Sequence, residues 1–204
     1  MNFLAHLYLS GPEEEVLLGN FMADFVKGRP ENRLSATQTS EGILRGIRLH
    51  RHIDSFTDTH PIVGQSKLRL RPAYRKYAGV ITDVYYDHFL AAHWSDYADV
   101  SLEVFADRTY RTLRRNQDRL PAGMERMLDI MTQQNWLVSY ARVEGIERAL
   151  QGLARRTSFE SGMETAATAL RLDYEAYYGE FKAFFPRLVE SVHPFWRVDS
   201  PQVG

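Results

Sequence analysis

The chain contains no cysteine. That absence removes a disulfide framework, a thiolate-bound zinc, an iron–sulfur cluster and thiol catalysis, and it leaves His, Asp and Glu as the metal-ligand vocabulary. Net charge is nearly absent as well: 25 Lys and Arg stand against 26 Asp and Glu, a formal balance of -1. The molecule as a whole is therefore neither a polycation for nucleic acid nor an acidic tail protein, and a charged partner has to be read by a local patch. Long apolar runs are missing too. The opening MNFLAHLYLSG offers seven residues from Phe3 to Leu9, broken by His6 and without the basic start of a secretory signal. Nothing approaches the ~20 apolar residues that span a bilayer. The expectation is a cytoplasmic protein in a reducing compartment, with neither membrane nor nucleic acid as partner.

What the chain has in plenty is helical periodicity. Apolar residues recur at three- and four-residue steps between short Pro/Gly connections, and no stretch keeps a period of two. The pattern predicts an all-α, single-domain helical bundle over residues 1–190 with a tail over 191–204, and helices near 13–27, 36–57, 60–76, 79–97, 100–119, 121–134, 136–156 and 159–185. In the last, Met163, Ala167, Leu170, Tyr174, Tyr177, Phe181 and Phe184 form a core-packing seam that Pro186 is expected to stop, and no chemistry is assigned to it. In the tail, Phe195 and Trp196 are the residues able to pack back.

The informative positions are those where polar groups interrupt apolar stripes. Asn20 and Asp24 share the stripe of Leu17, Phe21 and Phe25; His50 and Asp54 follow Ile43 and Ile47; Asp83 and Asp87 lie among Val80, Val84 and Leu90 on a helix apolar most of the way round. His6 sits alone in its apolar segment. An ionised carboxylate in a low-dielectric core costs several kcal/mol unless something compensates it. A divalent cation held between helices would do so, since residues at i and i+4 aim two ligands at one point; without thiols such a site favours Mn, Mg, Fe or Zn. Taken singly, each residue can equally be a helix cap, an ion-pair member or a hydrogen-bonded core group, and Asn20 is read as a structural bond between helices. Asp24, His50, Asp54 and Asp83 together favour the metal. His6 and His88 divide evenly between ligation and orienting a ligand from behind, whereas His52, His60, His93 and His193 are set aside.

Charge is distributed unevenly. Arg45, Arg48 and Arg51 recur on the helix that carries His50, and KLRLRPAYRK brings Lys67, Arg69, Arg71, Arg75 and Lys76 with no acid among them, a surface suited to an anionic partner. The arginines from Arg108 to Arg119, diluted by Asp107 and Asp118, read as plain surface.

Four segments in order, MNFLAHLYLS, GNFMADFVKG, GIRLHRHIDSFTDTHP and ITDVYYDHFLAAHW, with NWLVSY and FFPRL as weaker echoes, closely resemble the acyl carrier protein phosphodiesterases, also called acyl carrier protein hydrolases. The resemblance implies an all-helical variant of the HD-type metal phosphohydrolases. It implies manganese-dependent hydrolysis of the phosphodiester joining 4'-phosphopantetheine to a serine of holo-acyl carrier protein. An adjacent His-Asp pair, typical of HD signatures, does not occur; the nearest is the reversed Asp87-His88.

Combined with the resemblance, the residues suggest the following roles. Asp24, His50, Asp54 and Asp83 are the metal candidates, Asp87 the alternate, with Mn2+ expected and Mg2+ or another divalent ion admissible. His6 or His88 is the general acid or orienter, and Arg51 the phosphate clamp. Arg45, Arg48, Lys67, Arg69, Arg71, Arg75 and Lys76 form the docking surface for the acidic carrier protein. The rivals are an HD-like hydrolase of a nucleotide or other small phosphodiester, and a non-enzymatic helical adaptor with a buried polar network.

Overall fold

The structure, a computed structural model, describes residues 1–30 and 39–196. Within them the chain is helical, with no strand. The element order is α1 (Phe3–Tyr8), α2 (Glu14–Met22), α3 (Glu41–Thr59), α4 (Pro61–Tyr74), α5 (Ala78–Ala92), α6 (Leu102–Arg115), α7 (Met124–Gln133), α8 (Trp136–Ser139), α9 (Val143–Ala154), α10 (Ala166–Leu172) and α11 (Tyr174–Trp196). Local chemistry starts several of them. Ser40 accepts from the Ile43 amide at 3.3 Å to cap α3, and His60 Nδ1 accepts from Ile62 at 3.3 Å, just ahead of Pro61 at the first turn of α4. The proposed start of the second long helix at 36–38 and the tail beyond 196 lie outside the described residues.

As its two stripes require, α5 is central. Tyr85, Tyr86 and Phe89 are fully buried, packed edge-on or tilted against Tyr177, Phe181 and Phe184 of α11 at centroid distances of 5.1 to 5.7 Å. One core runs through the described residues from α1 to α11, making a single domain.

Several boundaries differ from the periodicity. The opening apolar segment forms α1, a helix too short to stand on its own. The expected 136–156 helix breaks between Ser139 and Val143, and the two pieces fold so tightly that a Cβ on Gly145 would lie 1.8 Å from the Ser139 carbonyl oxygen. The long seam breaks at Asp173, but it does not stop at Pro186: α11 continues through Pro186 and Pro194 to Trp196. Leu188 and Val192 extend the buried face, and the Trp196 indole donates to the Leu9 carbonyl at 2.6 Å. This packing outweighs the hydrogen bond that each proline forfeits. The indole lies against Gly11, whose φ of 70° and lack of a Cβ make room for it.

Two other glycines position the site. A Cβ on Gly19 of α2 would come within 2.1 Å of the Ile43 carbonyl oxygen, and one on Gly46 of α3 within 2.2 Å of the Val16 carbonyl oxygen. The backbones of α2 and α3 therefore cross almost in contact, which sets Asn20 directly against His50.

Candidate metal centre

Asn20 is fully buried at this crossing and organises two imidazoles. Its side-chain NH2 donates to the His6 carbonyl at 2.7 Å and to Ser10 Oγ at 3.0 Å, which fixes the amide orientation. The amide oxygen then accepts from His6 Nδ1 at 2.9 Å and His50 Nδ1 at 3.1 Å, while the Asn20 backbone carbonyl accepts from His50 Nδ1 at 2.9 Å. Oxygens that only accept force the proton onto Nδ1 of both rings. The rings stack with centroids 4.1 Å apart, so both Nε2 atoms project the same way.

They meet Asp54. His6 Nε2 lies 3.1 Å from one oxygen of its carboxylate and His50 Nε2 3.1 Å from the other. Ligand atoms of His6, His50 and Asp54 lie within 4.8 Å of one another, and among the described residues they form a cluster able to hold a metal ion. The donor set fits such an ion: two imidazoles with a fixed tautomer, each backed by an oxygen acceptor, and one carboxylate. Asp54 comes from one turn below His50 on α3, and His6 from the one-and-a-half-turn α1.

Electrostatics differ among the three. Burial lowers the His6 pKa despite the Asp54 carboxylate beside Nε2. His50 is also pulled down by burial, but the Asp24 and Asp54 carboxylates outweigh this and push it up to about 9. Burial raises Asp54, yet the bond from the protonated His50 holds its carboxyl well below the ordinary carboxylate range. Without a cation, then, His50 carries a proton and forms an ion pair with Asp54.

The cluster forms one wall of a cavity of about 310 Å³, which Asp24, Asp58 and Asp83 also line. Asp24 is not the buried stripe residue its position suggested. Helix α2 ends at Met22, and a 3-10 turn over Ala23–Phe25 leaves the Asp24 side chain 70% exposed, with Oδ1 3.2 Å from His50 Nε2. Asp83 faces the cavity with one oxygen bonded to the Met1 amine at 2.9 Å. Asp58, at the cavity edge and paired with Lys67, was missed; its spacing of four from Asp54 was the signal, since His50, Asp54 and Asp58 descend one face of α3.

Three residues expected in the active site, Asp87 as alternate ligand and His88 and Arg51 in catalysis, are turned elsewhere. Asp87 is fully buried and accepts from the Asn2, Leu4 and Ala5 amides at 3.2, 2.7 and 3.2 Å, capping the start of α1 from a distant helix. Burial pushes it up to about 7 against the pull of the Met1 amine and those amides. His88 donates from Nδ1 to the Tyr140 carbonyl at 2.8 Å and accepts at Nε2 from the Tyr174 hydroxyl at 3.1 Å; it does not line the cavity. Burial keeps it neutral by lowering its pKa. Arg51 spends its guanidinium on the carbonyls of Val26 and Gly28, at 3.1 and 2.7 Å, tying down the segment after the 3-10 turn.

Of the residues expected to dock a partner, Arg45 pairs with Glu13, Arg48 with Glu41, Lys67 with Asp58 and Arg69 with Glu180. Arg71, Arg75 and Lys76 are exposed, with no carboxylate in ion-pair range among the described residues. Arg111, Arg114, Arg115 and Arg119 pair with Asp107, Asp129, Glu14 and Glu15, the last two on α2.

Residues 1–188 match the family described as acyl carrier protein phosphodiesterase. The chain belongs to that family. It is 35% identical over 191 residues to the acyl carrier protein phosphodiesterase of Photorhabdus laumondii, covering 93% of this chain and 94% of the relative. The proteins of the same name from Yersinia pestis and Escherichia coli O6:H1 are 31% and 34% identical, over 93% of this chain and 96% of each relative. No solved structure matches. Family membership makes the protein a hydrolase and supports hydrolysis of an acyl carrier protein phosphodiester. No helix among the described residues is long and apolar enough to cross a membrane.

Proposed function

We propose that the protein hydrolyses the phosphodiester linking 4'-phosphopantetheine to the serine of holo-acyl carrier protein, using a divalent metal ion, Mn2+ in the first instance, held by His6, His50 and Asp54. The observation that carries this reading is the convergence of both Nε2 atoms on the Asp54 carboxylate, with both Nδ1 protons committed to Asn20, in a chain of this family.

When bound there, the ion supplies Lewis acidity toward a phosphoryl oxygen and lowers the pKa of water. The rest falls to the chain. Asn20 keeps the two imidazoles in the one tautomer that leaves Nε2 available and prevents the rings from turning away. His50 gives up its proton for the site to load. Asp24, with Oδ1 3.2 Å from His50 Nε2, and Asp83, on the same cavity, are our candidates to complete a ligand set or to accept a proton from attacking water. Water adds to phosphorus, the bond from phosphorus to the serine oxygen breaks, that oxygen takes up a proton, and the phosphate stays on pantetheine. The products are apo-carrier protein and free phosphopantetheine. Arg71, Arg75 and Lys76 are the part of the expected docking surface whose charge is available to an acidic carrier, where complementary charge speeds encounter and fixes orientation.

Incubating the purified protein with holo-carrier protein, with and without Mn2+, and weighing the carrier by mass spectrometry tests this. Loss of the phosphopantetheine mass only with metal is the expected result. An unmodified carrier, alongside turnover of a nucleotide diester, would replace this reading with the small-substrate one.

A further inference from the structure

The cavity beside the Asn20 cluster has a neighbour. Asn2, Phe3 and Leu153 line both it and a second cavity of about 320 Å³, bounded by α7, α8 and α9. The second cavity falls within the size range, roughly 300–1,000 Å³, of sites that take small-molecule groups. Its character differs from the first. The wall shared with the metal centre is apolar at Phe3 and Leu153, and Trp136 and Ala149 continue that surface. Gln134 and Gln151 add amide groups: Gln134 accepts the Trp136 indole N–H at 3.0 Å with its oxygen, leaving its NH2 group available. At the rim Arg148, Arg155 and Arg156 are exposed, with no carboxylate in ion-pair range among the described residues, because the α9 acids Glu144 and Glu147 face Arg171 instead.

We infer that this second cavity is the subsite for the pantetheine arm, an inference that rests on the proposed cleavage of the phosphopantetheine diester. With the phosphate at the His6, His50 and Asp54 cluster, the arm needs room that begins next to the cluster and leads away from it, and the cavity walled by Asn2, Phe3 and Leu153 begins there. The arm's chemistry matches the lining. Its branched methyl and methylene groups suit Phe3, Trp136 and Leu153, and its two amides suit Gln134 and Gln151. The arm is tethered to an acidic protein, which suits the uncompensated arginines at the rim. After hydrolysis free phosphopantetheine leaves, its phosphate from the first cavity and its arm from the second.

Gly152 gives a means of testing this. It lines the second cavity from α9, and a Cβ there meets nothing within 4 Å, in contrast to Gly145 on the same helix. Side chains added at Gly152 thus enter open space, and they favour the helix. The full chain with Mn2+ is compared with Gly152→Ala, Gly152→Leu and Gly152→Phe on two substrates, holo-carrier protein and bis(4-nitrophenyl) phosphate, which has no arm. The ratio of kcat/KM for the carrier to that for the small diester is expected to fall stepwise with added volume, by about tenfold for the Phe variant and mainly through KM. Inhibition of the wild-type protein by added pantetheine is expected to weaken along the same series. A ratio that stays level across variants melting like the wild type overturns the subsite while leaving the proposed reaction standing. Wild-type protein that cleaves the small diester but never the carrier overturns the proposed reaction, and the subsite with it.

Discussion

The Asn20 cluster and the Asp87 cluster draw on the same residue types from adjoining helices. Around Asp87 every polar atom has an internal partner: the Asn2, Leu4 and Ala5 amides on the carboxylate, and the Tyr140 carbonyl and Tyr174 hydroxyl on neighbouring His88. Around Asn20 the two Nδ1 atoms are held inside the core, while both Nε2 atoms point together at a half-exposed carboxylate on the wall of a cavity. Both clusters bury imidazole at a desolvation cost, and the Asp87 cluster buries its carboxylate as well. In one that cost is offset by folding α1 onto the core; in the other it is offset by a His50–Asp54 ion pair open to a cavity, where a cation would take the place of the His50 proton.

The largest expected effects exchange the two phenotypes. His50→Ala or Asp54→Ala should abolish turnover of the carrier and stoichiometric metal binding while circular dichroism and cooperative melting persist. Asp87→Ala should do the reverse, losing roughly 3 kcal/mol in urea denaturation because the α1 amides are left buried without an acceptor, while the folded fraction keeps its specific activity. A His50→Ala protein with metal and turnover intact would erase the distinction between the clusters. A smaller effect is expected one layer out: Asn20→Ala should weaken metal affinity by about 10–100-fold, read by titration against a competing chelator, because the rings lose their fixed tautomer.

The smallest effect is a pH signature belonging to the Asn20 cluster. His50 is raised from 6.5 to about 9 when the protein is folded, so its stabilising contribution is complete below pH 6.5 and is lost as pH climbs through 9. The melting temperature of chelator-treated protein should therefore decline over that interval, with His50→Gln removing the dependence. Asp54, held low, keeps its contribution above the ordinary carboxylate range and loses it only in strong acid. Since the His50 proton must leave for a metal to bind, affinity for Mn2+ should rise across the same interval, by at most about tenfold per pH unit. A flat profile would mean that His50 is not a ligand.

Much of this was legible in the residues. His50 and Asp54 could be paired because a spacing of four within one helix fixes their neighbourhood whatever the rest of the chain does. Periodicity also showed that α5 is central. It was less reliable where a helix ends through contacts from elsewhere: α2 stops at Met22 and exposes Asp24, and α11 passes two prolines because Trp196 is anchored on Leu9 and Gly11. Asp83 and Asp87 looked equivalent by spacing, yet Asp83 reaches the cavity and takes the Met1 amine, while Asp87 takes the amides at the start of α1.

The sequence by itself determined the helical class, the restriction to imidazole and carboxylate ligands, and the placement of two of those ligands on one face of α3. These follow from composition and from distances of a few residues, which backbone geometry alone sets. Only the tertiary structure decided that His6 joins them, that Asn20 holds both rings, and that Asp87, His88 and Arg51 are occupied elsewhere. Those outcomes depend on how closely separate helices approach, and here the approach is set by Gly19 and Gly46, whose missing side chains let α2 and α3 cross almost in backbone contact.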